Sequence, residues 1–111
     1  MGVPTSLDDA RTVAFCGSFR FRDRMAEVAR QLAARGIECL VPTPVADARQ
    51  GLMGCFDRID RADAVMLIDP EGYVGGSVAA DLGYAFARGK PIFALEMPVD
   101  DALAVLVSGL A

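Results

Sequence analysis

Five consecutive apolar residues, Ala64-Val65-Met66-Leu67-Ile68, run into Asp69-Pro70 and a glycine-rich turn that ends at Gly75-Gly76-Ser77. An uninterrupted run that short, bounded by proline and glycine, fits a strand buried on both faces. Beyond it Val78, Leu82 and Ala85 recur at helical spacing until Gly89-Lys90-Pro91 stops them. A strand, a glycine turn and a helix together form an anion-binding layout. Glycine lets the backbone approach a ligand, and the free N–H groups of the first helical turn favour a phosphate or carboxylate. Ser77 at the helix's opening is also an ordinary capping residue.

The remainder of the chain repeats the alternation. Thr12 to Cys16 reads as a first strand closed by Gly17-Ser18. A helix is expected from about Phe21 to Arg35, with Met25, Val28, Ala29 and Leu32 on one face and Gly36 at its end. Ile37 to Val41 is the second strand, stopped by Pro42, and Leu52 to Ala62 a short helix. Residues 64 to 68 form the third strand, 77 to 88 the central helix and 91 to 95 the fourth strand. In the tail, Leu103, Leu106, Val107 and Leu110 lie at helical spacing, predicting a last helix over residues 100 to 110. That helix is more apolar than a free surface helix, which points to packing on the sheet or on another subunit.

Near-continuous apolar strands alternating with helices imply a parallel sheet covered on both faces, an α/β three-layer sandwich. Right-handed crossovers make the expected order 2-1-3-4. Ligands bind such sheets where the order reverses, between strands one and three. The loops meeting there are Gly17 to Arg22 and Asp69 to Ser77. With 111 residues the chain is expected to form one domain.

Composition removes several classes of function. The net charge is -4, and the basic residues form no stripe, so duplex nucleic acid is not an expected partner. No apolar run approaches the ~20 residues of a membrane span, and residues 1 to 12 do not resemble a signal peptide. Cys16, Cys39 and Cys55 are odd in number and match no metal-ligand spacing, which suits a reducing cytoplasm. Neither a metal nor a cofactor is expected. The chain has no histidine, excluding Ser-His-Asp and Cys-His catalysis. Acid–base or nucleophilic work would fall to carboxylates, lysine, tyrosine or cysteine.

Gly17, Ser18 and Arg20 in the first loop would supply backbone donors, a hydroxyl and a guanidinium that holds phosphate by paired hydrogen bonds. Asp69, Tyr73, Gly75, Gly76 and Ser77 form the facing loop, where Tyr73 could stack on a base or sugar. Asp81 stands four residues after Ser77 on the same helix stripe. Helical side chains lean toward the N-terminus, which aims its carboxylate back at the glycine loop. Asp60 and Asp63, before the third strand, read as helix-end or turn contacts. Cys55 reads as a partly buried thiol.

Gly17-Ser18-Phe19-Arg20-Phe21, Arg58-Ile59-Asp60-Arg61-Ala62-Asp63, Gly72-Tyr73-Val74-Gly75-Gly76-Ser77 and Asp81-Leu82-Gly83-Tyr84-Ala85 occur in that order. Together they resemble the nucleoside 2-deoxyribosyltransferase superfamily, in particular its small bacterial branch, over residues 12 to 96. The resemblance implies a flavodoxin-like fold and homodimers or larger homo-oligomers whose subunits complete one another's sites. It also implies cleavage or transfer at the N-glycosidic bond of nucleosides or their 5′-monophosphates. A helix glutamate of that family attacks the anomeric carbon, and here its position holds Asp81. The family's acidic or histidine position falls at Cys55, and a frequent loop carboxylate at Gly75. A non-catalytic nucleotide-binding module, or an assembly subunit built on the apolar tail, is the alternative.

Overall fold

Side chains alternate along a strand, so an all-apolar strand serves two cores at once. In the computed structural model, which describes residues 2–111, β1 (Thr12–Cys16) does so. Val13 and Phe15 join one core cluster, and Ala14 and Cys16 the other. β3 (Ala64–Leu67) divides in the same way, Met66 to the first cluster and Val65 and Leu67 to the second. α1 (Arg22–Ala33) closes the first face through Met25, Val28 and Leu32. α2 (Ala48–Arg61) and α3 (Gly76–Ala87) close the second through Ile59, Val78, Leu82 and Ala85. Ile59 and Leu82 are fully buried, where truncation to alanine costs about 2–5 kcal/mol.

The sheet is parallel throughout, in the order β2-β1-β3-β4-β5, with β2 at Glu38–Leu40 and β4 at Ile92–Ala94. This is the flavodoxin-like three-layer arrangement, and its order reverses between β1 and β3 as the sequence predicts. β5 (Gly109–Leu110) extends the expected four strands and corrects the reading of the tail as one long helix. Only a single turn, α4 (Asp101–Ala104), is helical there. The open edge of β4 provides the reason, because its unpaired backbone groups find partners in the tail. Ser108 N–H donates to the Ile92 carbonyl at 2.7 Å and Ala111 N–H to the Ala94 carbonyl at 2.9 Å. Ser108 and Gly109 are also weak helix formers at the point where the helix would have to continue.

α2 begins at Ala48 rather than Leu52, because the Asp47 carboxylate caps it by accepting from Gln50 N–H at 2.8 Å. Asp63 fastens the start of β1, accepting from Arg11 N–H at 3.0 Å and Thr12 N–H at 2.9 Å. The Tyr84 hydroxyl lies 2.8 and 2.9 Å from the Asp60 carboxylate oxygens, and its ring stacks on Phe56 at 4.2 Å. These contacts join α3 to α2 beside the buried packing of Ile59, Leu82 and Ala85.

Candidate functional site

The β1–α1 and β3–α3 loops leave the sheet side by side at the reversal of strand order. A cleft of about 710 Å³ opens there, walled on its far side by the segment from Pro42 to Leu52. Gly17, Ser18 and Tyr73 line it, as do Gly75, Gly76 and Ser77, with Asp81 at the buried end. Arg20 and Asp69, both expected among the ligand-binding residues, stand outside the lining.

Each of the two has another partner. The Arg20 guanidinium lies 4.7 Å from the centre of the Tyr73 ring and 5.7 Å from that of Phe21, which meets Tyr73 edge-on. These contacts tie the two loops together at the mouth, at roughly 0.5–1 kcal/mol for an exposed cation–π pair. Asp69 is fully buried at the end of β3, where it accepts from Glu96 N–H at 3.0 Å. It pins the segment after β4 beneath the glycine loop. Burial pushes its carboxyl up to about 6, against the pull of the Glu96 N–H bond, and its second oxygen has no protein partner.

The cap of α3 differs from the sequence reading. Gly75, in extended conformation, occupies the cap position, and no side chain bonds the first turn. The Ser77 hydroxyl is therefore not spent on capping. With the unpaired N–H groups of that turn, it faces the cleft as a donor set for an anion. On the opposite rim, Ser18 accepts from Arg20 N–H at 3.3 Å and so shapes the β1–α1 turn.

The buried end holds a cluster absent from the sequence reading. Cys16 at the end of β1, Cys55 on α2 and Asp81 on α3 bring their ligand-capable atoms within 4.8 Å of one another. The two thiol sulfurs are 3.7 Å apart. Asp81 is 7% exposed, and its Oδ1 is buried without a protein partner. Burial pushes its carboxyl up to about 6, although the adjacent Cys55 thiol and the Arg58 guanidinium pull the other way. Bonding to Cys55, and then burial, raise the Cys16 thiol well above its ordinary range. Arg58 adds a buried Nε without a partner. The one signal that could have exposed this cluster is the alternation in β1, which sends Cys16 to the side of α2 and α3.

No family model matches the sequence, and no curated protein matches it either. Among solved structures, it is similar to a conserved protein from Enterococcus faecalis V583, with a TM-score of 0.57 and 20% identity. The likeness covers 75% of this chain and 61% of that one. At that identity it speaks for the fold alone, and the cleft has to be interpreted from its own chemistry.

That chemistry is polarised. One rim offers N–H and hydroxyl donors, the mouth an exposed aromatic ring, and the floor a buried carboxyl whose Oδ1 has no protein partner.

Proposed function

We propose that the protein cleaves, or transfers at, the N-glycosidic bond of a nucleoside or nucleoside 5′-monophosphate. The observation that carries this reading is the Asp81 carboxyl, buried at the floor with Oδ1 unpartnered, in a cleft that the first turn of α3 also lines. An ionised Asp81 would attack the anomeric carbon while the bond to the base breaks and its electron pair leaves with the base. The transition state resembles an oxocarbenium ion, and the glycosyl–enzyme ester would then pass to water or to a second base. Ser18, Ser77 and the first turn of α3 would hold the 5′ end, and Tyr73 would stack on the planar group. The resemblance to the nucleoside 2-deoxyribosyltransferase superfamily supports the same roles, and it also points to a homo-oligomer.

A non-catalytic nucleotide-binding module is the second reading. Its support is the aspartate itself, one methylene shorter than the glutamate of that superfamily and hemmed in by two thiols. Nucleophilic attack needs reacting atoms about 3–3.5 Å apart.

The test is to incubate metal-free protein with a panel of nucleosides and 5′-monophosphates and to quantify released base by chromatography. Slow release is expected, abolished in Asp81→Asn while ligand binding survives. No base from any ligand that binds, with no turnover restored in Asp81→Glu, would establish the binding module instead.

A further inference from the structure

We infer that Cys16, Cys55 and Asp81 form a zinc-type metal site at the floor of the cleft, two thiolates and a carboxylate with the fourth position facing the opening. The inference is independent of the glycosidic reading and rests on geometry.

Thiolates bound tetrahedrally at about 2.3 Å from one zinc ion stand about 3.8 Å apart. The two sulfurs already lie 3.7 Å apart, although 39 positions separate them in the chain. The Asp81 oxygen lies within 4.8 Å of both sulfurs; tetrahedral zinc would hold sulfur and oxygen about 3.6 Å apart, so a side-chain shift of about 1 Å closes the set. Asp81 Oδ1 is buried and accepts no hydrogen bond from the protein, so a lone pair is free for a ligand bond. All three side chains line the cleft, which gives the ion a path in and leaves room for a water or ligand as the fourth donor.

The charges also balance. Two thiolates, a carboxylate and a divalent ion sum to minus one, and the adjacent Arg58 guanidinium neutralises the remainder. Two thiolates select a borderline-soft ion such as zinc over magnesium or calcium, which take oxygen ligands. On binding, the two S–H bonds break, two metal–sulfur bonds form and two protons leave to solvent. A metal held here engages the Asp81 oxygen, so occupancy is expected to suppress any base release that depends on Asp81.

Cobalt(II) is the probe, because tetrahedral thiolate ligation gives it a distinctive visible spectrum and a sulfur-to-cobalt charge-transfer band. Titration of reduced, metal-free wild-type protein should show one cobalt per chain with two thiolates, displaced by zinc. Cys39→Ser should bind equally, since Cys39 packs on the opposite face of the sheet. Cys55→Ser and Asp81→Asn, checked for folding by circular dichroism, should each weaken binding by at least the roughly 10–100-fold that loss of an outer-shell partner costs. A wild-type protein without the thiolate–cobalt spectrum would overturn the proposal, whatever the variants do. So would a spectrum that persists undiminished in folded Cys55→Ser. Because the readout is spectroscopic, its failure is distinguishable from a failure to release base.

Discussion

Gly17 lies so close to Ile68 that a Cβ built on it would stand 2.7 Å from the Ile68 carbonyl oxygen and 2.8 Å from the Met25 terminal methyl. The ends of β1 and β3 are thus drawn together where the sheet order reverses, and Ile68 N–H donates to the Cys16 carbonyl at 2.8 Å. A methionine methyl can move aside, but the backbone carbonyl cannot without shifting β3. Gly17→Ala is therefore expected to cost roughly 1–3 kcal/mol, as other overpacking changes do. Gly76→Ala is the control, because a Cβ there meets nothing within 4 Å. Urea denaturation should show a lowered midpoint for the first variant and a change within about 0.5 kcal/mol for the second. Equal midpoints would remove the close approach as a constraint.

The fold was legible because the strands are apolar on both faces and end at glycine or proline. Thr12 to Cys16 and Ala64 to Ile68 could hardly be anything else, and right-handed crossovers then leave few orders. The tail departs from its helical spacing for a physical reason. The spacing of Leu103, Leu106, Val107 and Leu110 is helical, while what holds Gly109–Leu110 is the open edge of β4, a partner distant in sequence. The glycine loop and Asp81 were legible as a local strand–turn–helix unit. The Cys16–Cys55–Asp81 cluster was not, because it comes from three elements, β1, α2 and α3, that only the tertiary packing brings together. Asp69 begins the glycine loop and so reads as a ligand-side residue, yet its carboxylate is buried and accepts from Glu96 N–H, a partner distant in sequence.

Asp69 makes a prediction about pH. Its folded carboxyl titrates near 6, above its ordinary 3.8, because burial penalises the charge. Between those values the native state holds the proton more firmly than the unfolded chain, so this group's stabilisation is greatest in acid and declines as pH rises toward 6. A displacement of that size corresponds to no more than about 3 kcal/mol. Asp69→Asn keeps an oxygen for Glu96 N–H and removes the titration. Calorimetry from pH 4 to 7 should give the variant a melting temperature that falls less with pH, or rises more, than that of wild type. Parallel curves would show that Asp69 does not titrate in this window.

The tail makes another. Truncation after Pro98 removes β5, the two bonds that Ser108 and Ala111 donate to β4, and the packing of Leu106 and Val107 on the α2–α3 core. It leaves β4 as a bare edge. The shortened chain is expected to unfold or aggregate, seen as loss of the cooperative melting transition. A cooperative transition at the wild-type temperature would show that the tail is an appendage. Light scattering of the full chain tests the proposed oligomer separately, and a mass near 11.7 kDa at every concentration would exclude it.

Asp81 gives the prediction that separates enzyme from binder. A nucleophilic carboxylate must be ionised, and burial holds this one near 6 in the free protein. In metal-free protein, kcat/KM for base release should rise about tenfold per pH unit below that value and level off above it. Asp81→Glu extends the reach toward the anomeric carbon by one methylene and should keep or raise the rate. Its profile should again bend where the new carboxyl titrates. A rate that is flat from about pH 5 to 7 would show that the ionisation of Asp81 does not limit the reaction. Base release that survives in Asp81→Asn would go further, removing Asp81 as nucleophile and leaving the donors of Ser18, Ser77 and the α3 terminus to carry a different chemistry.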